Sequence, residues 1–338
     1  MNLSNSLSVA APFAVLEPGV DTRKLDPVRD SSLRRILARC EGGATVAPQL
    51  PSIFWDAEFF RFDQSSIFNS LSSEQKASLL ESCGRAILRE AQLIEIAGTT
   101  YSSKMSLLAE NLQQRELYSF FSADEVRHLR MITSLVGEPD PVFAKNNSFL
   151  QYLSQLIQFE SRTPLVFLIQ VLLEGWGIHH YSLLAQSTSS PYVAQIFKSI
   201  VKDEARHHGS GLILFDEADL GVEELRRLES SLVTFLQMVR IGPLGILAEL
   251  SKVVGGLNQD EIQEFLEQTQ FEGKLAADLE LIQSLMSKAG AAKLLTYVNN
   301  QGLFELPKST SCAQTISNIL STSEFAVPFL TRFSGGGL

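Results

Sequence analysis

Two pentapeptides in the chain share one pattern. Asp124-Glu125-Val126-Arg127-His128 and Asp203-Glu204-Ala205-Arg206-His207 both read D-E-x-R-H, 79 residues apart. On a helix, positions i and i+3 lie on one face about a turn apart, so each Glu and His can point at one metal ion. Two such pairs supply two carboxylates and two imidazoles, and a dinuclear site needs two more carboxylates from two other helices. Glu174 is the one acid in the core of the apolar run 164–178, and the same 79-residue offset leads from it back to Glu95. Glu95 lies 30 residues before Glu125, and Glu174 lies 30 residues before Glu204. The four glutamates carry four negative charges, which two divalent ions cancel, so a buried carboxylate cluster becomes tolerable. Mixed carboxylate and imidazole ligation suits two iron ions, with manganese or a mixed manganese–iron pair as variants. Asp124 and Asp203 are placed to fix the tautomer and orientation of the imidazoles, with Arg127 and Arg206 holding those aspartates.

The equal spacing makes a demand on the elements that carry these residues. Ligands at one height on antiparallel helices must be equidistant from the turn that joins them. The midpoint of 95 and 125 is residue 110, beside Asn111, and that of 174 and 204 is Ser189, within Ser187-Thr188-Ser189-Ser190-Pro191. Breaker chemistry puts turns at the same places. Ser72 with Gln75 is a capping box that opens a helix running to about Glu110, and a second helix runs from Asn111 to Gly137, just before Pro139. An amphipathic stretch, Ser148 to Glu160, leads to a third helix that opens at Thr163-Pro164 and ends near Ser187. Ser190-Pro191 opens a fourth, continuing to about Leu220. Glu90, the rival to Glu95, breaks the symmetry and falls on a different face. Gly98 and Gly177 occupy matching places one turn beyond Glu95 and Glu174.

The flanks read as helix and arm. Residues 1 to about 50 are rich in Ser, Pro and Gly without periodicity, and the aromatic patch Phe54-Trp55-Asp56-Ala57-Glu58-Phe59-Phe60 reads as a short helix docking on the core. Helical patterns continue from Gly221 to about Gly302, with Pro243 a kink or break, and the tail from Leu306 is rich in Ser and Thr. No strand-hairpin signal is found. The expected fold is all-α: a four-helix core over 73–220, an N-terminal arm and docking helix over 1–72, and a C-terminal helical extension over 221–338.

Composition narrows the function classes. With 28 basic and 38 acidic residues and a net charge of −10, there is no basic stripe for nucleic acid. Three widely spaced cysteines fit a reducing compartment rather than a disulfide framework. No basic residue precedes Arg23, and the longest apolar run, Pro164 to Ile178, is too short to span a bilayer. The expectation is a cytoplasmic protein with no membrane partner.

At Glu95, Glu125-x-x-His128, Glu174 and Glu204-x-x-His207 the chain resembles the ferritin-like di-iron carboxylate superfamily, over about residues 73–220. The D-E-x-R-H form looks most like the oxygenase, acyl-carrier-protein desaturase and radical-subunit branches, and 194–207 looks particularly desaturase-like. Ile132 stands where the ribonucleotide reductase radical subunit has its tyrosine, and Ile200 where arylamine N-oxygenases have a third histidine. The resemblance implies an O2-dependent di-iron oxygenase, oxidase or desaturase that oxidises a largely apolar small-molecule or acyl-carrier substrate. It also implies an external electron donor, a ferredoxin or reductase, and is compatible with a homodimer. The alternative is an iron-handling protein with ferroxidase or peroxide-scavenging activity, against which the long flanks weigh because a storage cage needs neither. Phe121, Ile178 and Ile200, each one turn from a ligand, are the expected pocket lining. Thr99, one turn past Glu95, is a candidate for handling protons, with a bond to its own helix as the alternative. Tyr101, Tyr118 and Tyr181 read as core hydroxyls, and His179, His180 and His208 as surface or packing residues.

Overall fold

The computed structural model describes residue 37 and residues 49–140 and 147–321. The N-terminal arm expected before the aromatic patch and the glycine-terminated end of the tail lie outside these residues. Helix α1 (Ser73–Leu107) starts at the capping box, with Ser72 accepting from the Gln75 amide and the Gln75 side chain accepting from the Ser72 amide. Asn111 caps α2 (Leu112–Val136) by accepting from the Gln114 amide at 3.0 Å, and Gly137 ends it at φ +82°. Helix α3 (Ser148–Phe159) is capped by Asn147, and α4 covers residues 162–187. Ser190 caps α5 (Pro191–Leu214), with Pro191 in its first turn. Both turns fall at the midpoints that the equal spacing requires.

Contacts at the helix ends fix the directions. Gln92 donates to Thr133 and to the Gly137 carbonyl at the close of α2, both at 2.8 Å. Lys104, near the other end of α1, donates to the carbonyls of Ile157 and Glu160 at 2.7 and 2.6 Å. Helix α3 therefore carries the chain back along the bundle. Arg162 then meets Glu110 at 3.2 Å, so α4 starts beside the α1–α2 turn. It runs antiparallel to α1, and the hydrogen bond from Tyr101 to Gln170, 2.7 Å, pins their register.

Two boundaries and the character of one helix differ from expectation. Helix α4 begins at Arg162, which leaves Pro164 in the first turn, where its missing N–H costs nothing. Within α4, Val166–Glu174 is π-helical, which periodicity did not reveal. The π register is held from outside. Gly211 on α5 lets the Gln170 backbone approach, since a Cβ there would lie 2.6 Å from the Gln170 Cβ, and His208 Nδ1 lies 3.1 Å from the Gln170 carbonyl oxygen. Helix α5 stops at Leu214, short of Leu220, because Phe215 turns to extended backbone and packs on Phe167 with ring centroids 4.6 Å apart.

The aromatic patch docks as expected but is not a helix; short helical turns follow it at Phe62–Gln64 and Ser66–Asn69. Trp55 is fully buried and donates to the Leu184 carbonyl at 3.1 Å, while the Phe54 carbonyl accepts from Ser189 N and Thr188 Oγ1. The patch thus clamps the α4–α5 turn. Helices α6 (Val222–Ile241), α7 (Leu244–Val254), α8 (Gln259–Gln268), α9 (Phe271–Lys288), α10 (Ala292–Asn300) and α11 (Ser309–Ser321) surround the bundle. Phe235 of α6 packs on Trp176 of α4 at 5.6 Å, and one apolar core runs from Phe54 to Ile316. Residues 222–254 are long and apolar enough to cross a membrane, yet 61% of their apolar window is buried in the protein. Gly242, at φ +102°, and Pro243 break that stretch in two.

Removing the clamp should cost as much as losing any large core aromatic. Trp55→Ala is expected to destabilise the fold by about 3–5 kcal/mol. Urea denaturation followed by circular dichroism measures this, and a midpoint within error of wild type would show that the patch contributes no anchorage.

Candidate metal centre

The six predicted ligands converge in the middle of the bundle. Their donor atoms form two groups, Glu95, Glu125, His128 and Glu204, then Glu125, Glu174, Glu204 and His207, with the atoms of each group within 4.8 Å of one another. Glu125 and Glu204 belong to both, so the two groups that could hold an ion share two carboxylates. His128 Nδ1 lies 3.2 Å from Glu95 and 3.3 Å from Glu204. His207 Nδ1 lies 3.3, 3.5 and 3.9 Å from Glu125, Glu204 and Glu174. Glu174 Oε2 and His207 Nδ1 are buried without a hydrogen-bond partner, as donor atoms directed at a cation would be. Gly98 makes room for Glu125: a Cβ there would sit 2.6 Å from the glutamate's carboxyl carbon. Gly177, its counterpart by symmetry, has nothing within 4 Å and faces open space.

The aspartates hold the imidazoles, but across the repeat. His128 Nε2 meets Asp203 at 3.2 Å and His207 Nε2 meets Asp124 at 3.4 Å, so each motif orients the histidine of the other. Arg127 contacts both Asp124 and Asp203, and Arg206 contacts Asp203 at 2.7 Å and Asp124 at 3.1 Å. Two cations thus balance two anions just outside the ligands. Because the guanidinium groups are about half exposed, their contribution is to position the aspartates rather than to stabilise the fold through Coulomb energy.

The buried carboxylates do not titrate alike. Burial, reinforced by Glu204, pushes Glu125 well above the ordinary carboxylate range, and burial with Glu204 and Glu95 takes Glu174 to about 8. Burial would also raise Glu204, but the two histidines overcome it and lower that group to about 2. Burial opposes charge on His128, and Glu204 with Glu95 reverses this, lifting it to about 11; His207 is raised further by Asp124, Glu125 and Glu204. Protons therefore supply the balancing charge when ions do not.

Beside the ligands lies a cavity of about 80 Å³ between α1, α3 and α4. Its walls include Ile94, Leu153, Ile157, Ile169, Leu173 and Gly177, and all four ligand glutamates border it. Thr99, Phe121, Ile178 and Ile200 are not among its lining residues. The Thr99 hydroxyl turns back to the Glu95 carbonyl at 3.0 Å. The Phe121 ring packs on the His207 ring at 3.8 Å, and Ile200 is fully buried in the core. The cavity lies on the side of the bundle where α3 packs, with Phe149, Leu153 and Ile157 in its wall.

Two participants were not singled out from sequence. Tyr181 donates to Glu95 at 2.9 Å, so its hydroxyl touches a ligand rather than filling core. Gln170, wholly buried, accepts from Tyr101 and Tyr118 and donates to Ser210 and the His207 carbonyl, which ties α1, α2 and α5 to the π-helical segment. The only trace of Gln170 in the sequence was a polar residue inside an apolar run. Burial pushes the phenols of Tyr101 and Tyr118 well above their ordinary values, so both remain donors.

Residues 86–211 match the family model of the ferritin-like domain, from within α1 to the last turn of α5. No curated protein and no solved structure matches the chain. Over residues 86–211 the bundle is similar to a ferritin-like domain, and it brings together Glu and His groups that could hold a metal ion.

Metal uptake should release protons. At pH 7, Glu174, raised to about 8, and His128, raised to about 11, hold protons that an incoming divalent ion is expected to displace. The number should fall as pH rises through 8, where Glu174 is already ionised, and apparent affinity should weaken as pH drops. Calorimetry in buffers of differing ionisation enthalpy counts these protons; uptake without release would contradict the assigned charges. Asp203→Ala should weaken the ion at Glu95 and His128 by about 10–100-fold and spare the other. Equal loss at both positions, seen by metal titration, would refute the crossed pairing.

Proposed function

We propose that the protein is a non-haem di-iron oxidoreductase that uses O2 to oxidise a largely apolar small molecule. The observation that supports this reading is the cavity: all four ligand glutamates border a space whose other walls are largely apolar. A site serving iron alone has no need of it. Glu95 and His128 would hold one ion and Glu174 and His207 the other, with Glu125 and Glu204 common to both. The donor set of oxygens and imidazoles suits iron or manganese. Bound as Fe(II), the pair would supply electrons to O2 and oxidising power beside the cavity.

The chain's own residues do the rest. Asp124 and Asp203 keep each Nδ1 directed inward, and the Tyr181 hydroxyl steadies Glu95 and holds a proton next to it. The apolar walls exclude water from the reacting space. Inserting one oxygen atom into a C–H or N–H bond, with the other leaving as water, needs two electrons beyond those the substrate gives. A ferredoxin or reductase is the class of donor that supplies them.

Purified protein should contain close to two iron or manganese ions per chain, and Glu125→Ala or His207→Ala should reduce this sharply. Reduced protein, exposed to O2 for one turnover with apolar compounds, should convert one of them to a product seen by mass spectrometry. If none is changed and many equivalents of Fe(II) or peroxide are consumed instead, the protein handles iron. Full metal occupancy in either variant would remove the ligand assignment.

A further inference from the structure

The two helices that carry the repeated motif also form an outer face. Among the described residues, the flanking helices meet the bundle mainly on its other pair: α7 lies on α1, and α6 and α9 lie on α4. Between Leu117 and Val136, and along the whole of α5, the acidic residues are Asp124, Glu125, Asp203 and Glu204, all of them buried. The basic residues of the same stretches are Arg127, Arg130, Lys198, Lys202 and Arg206, and all but Arg130 are exposed. Lys198 and Lys202 stand one turn apart, in line with Arg206. Neither lysine has an ion-pair partner among the described residues. A chain with a net charge of −10 thus turns a basic face outward over its clustered histidines. His128 Nε2 meets Asp203, which Arg127 also contacts, and His207 Nε2 meets Asp124, which Arg206 contacts at 3.1 Å. Each imidazole is therefore two polar contacts from a guanidinium that is about half exposed.

Charge decides what such a face can bind. Residues 1–48 hold six basic and five acidic side chains, and residues 322–338 hold one of each, so neither segment supplies a complementary negative charge. A second copy docked through the same patch by two-fold symmetry would set lysines against lysines. Nucleic acid, being long, would also meet the acidic remainder of the surface. A compact acidic protein meets the basic face alone. Its task follows from what lies beneath. The cavity is on the other side of the cluster, walled by α1, α3 and α4, and α2 and α5 contribute only Glu125 and Glu204 to it. A carrier delivering a substrate finds no entrance to that cavity here, whereas an electron needs only a short bonded path.

Resting on the reading of the protein as an oxidoreductase, we propose that the α2–α5 face, through Lys198, Lys202, Arg127 and Arg206, docks an acidic protein that carries single electrons. Each such donor is oxidised by one electron, so two successive encounters supply the two electrons that oxygen insertion requires.

The test is calorimetric titration of the metal-loaded, full-length protein with an acidic plant-type iron–sulfur ferredoxin, at low and at about 0.15 M ionic strength. Binding should tighten at low salt. The double change Lys198→Glu and Lys202→Glu should weaken it at least about tenfold, with metal content and circular dichroism as in wild type. Lys198→Gln with Lys202→Gln should fall between the two. No binding, binding insensitive to salt, or full affinity in the double Glu variant overturns the proposal. So does an acyl carrier protein or duplex DNA that binds wild type more tightly than ferredoxin does and is lost in the same variant. A dimer that the Glu variant breaks, seen by sedimentation, assigns the face to a second copy and overturns it too. Lysine-dependent, salt-sensitive binding by protein that oxidises no compound keeps this face and discards the oxidase reading. Product formed by protein whose Glu variant binds ferredoxin in full does the reverse.

Discussion

Four carboxylates buried at the centre of a helical bundle must be given positive charge, and much of this structure answers that demand. Two divalent ions or a set of protons can meet it; packing cannot. The aspartate–arginine layer outside the histidines is neutral within itself, so it adds nothing to the central debt while aiming the imidazoles. Gly98 is required for the same reason, because any larger residue would take the place of the Glu125 carboxylate.

Positioning that cluster uses more of the chain than the helices bearing it. The π-helical segment widens α4 just ahead of Glu174, and its cost in backbone geometry is offset by partners on α5, the His208 ring and the approach that Gly211 allows. Gln170 binds the neighbouring helices to this segment through four hydrogen bonds. From the other end, Trp55 and Phe54 grip the α4–α5 turn. Glu174 is thus held between a fixed irregularity and a fixed turn.

What the sequence revealed follows from which signals are local. A repeated D-E-x-R-H pattern and equal loop-to-ligand distances depend only on helical geometry, and they located all six clustered residues and both turns. Cap residues were legible for α1, α2 and α5 because Ser72, Asn111 and Ser190 act within three residues. The π-helix was not, since its causes lie on another helix. This cavity was not legible for a similar reason: α3, read as a link, packs along α1 and forms part of its wall. Tyr181 looked like a core hydroxyl because only the folded chain brings it to Glu95.

The shared glutamates and the crossed aspartates have a consequence for assembly. Each half of the repeat owns three of the four donors for its ion, and borrows both the fourth donor and the aspartate that steadies its imidazole. Neither half is a self-sufficient metal module, so the chain cannot be divided at the link between α2 and α4 into two working mononuclear proteins. The first ion to arrive also settles the two carboxylates that the second will use. The shared pair thereby links the two positions, while each keeps a glutamate and a histidine of its own.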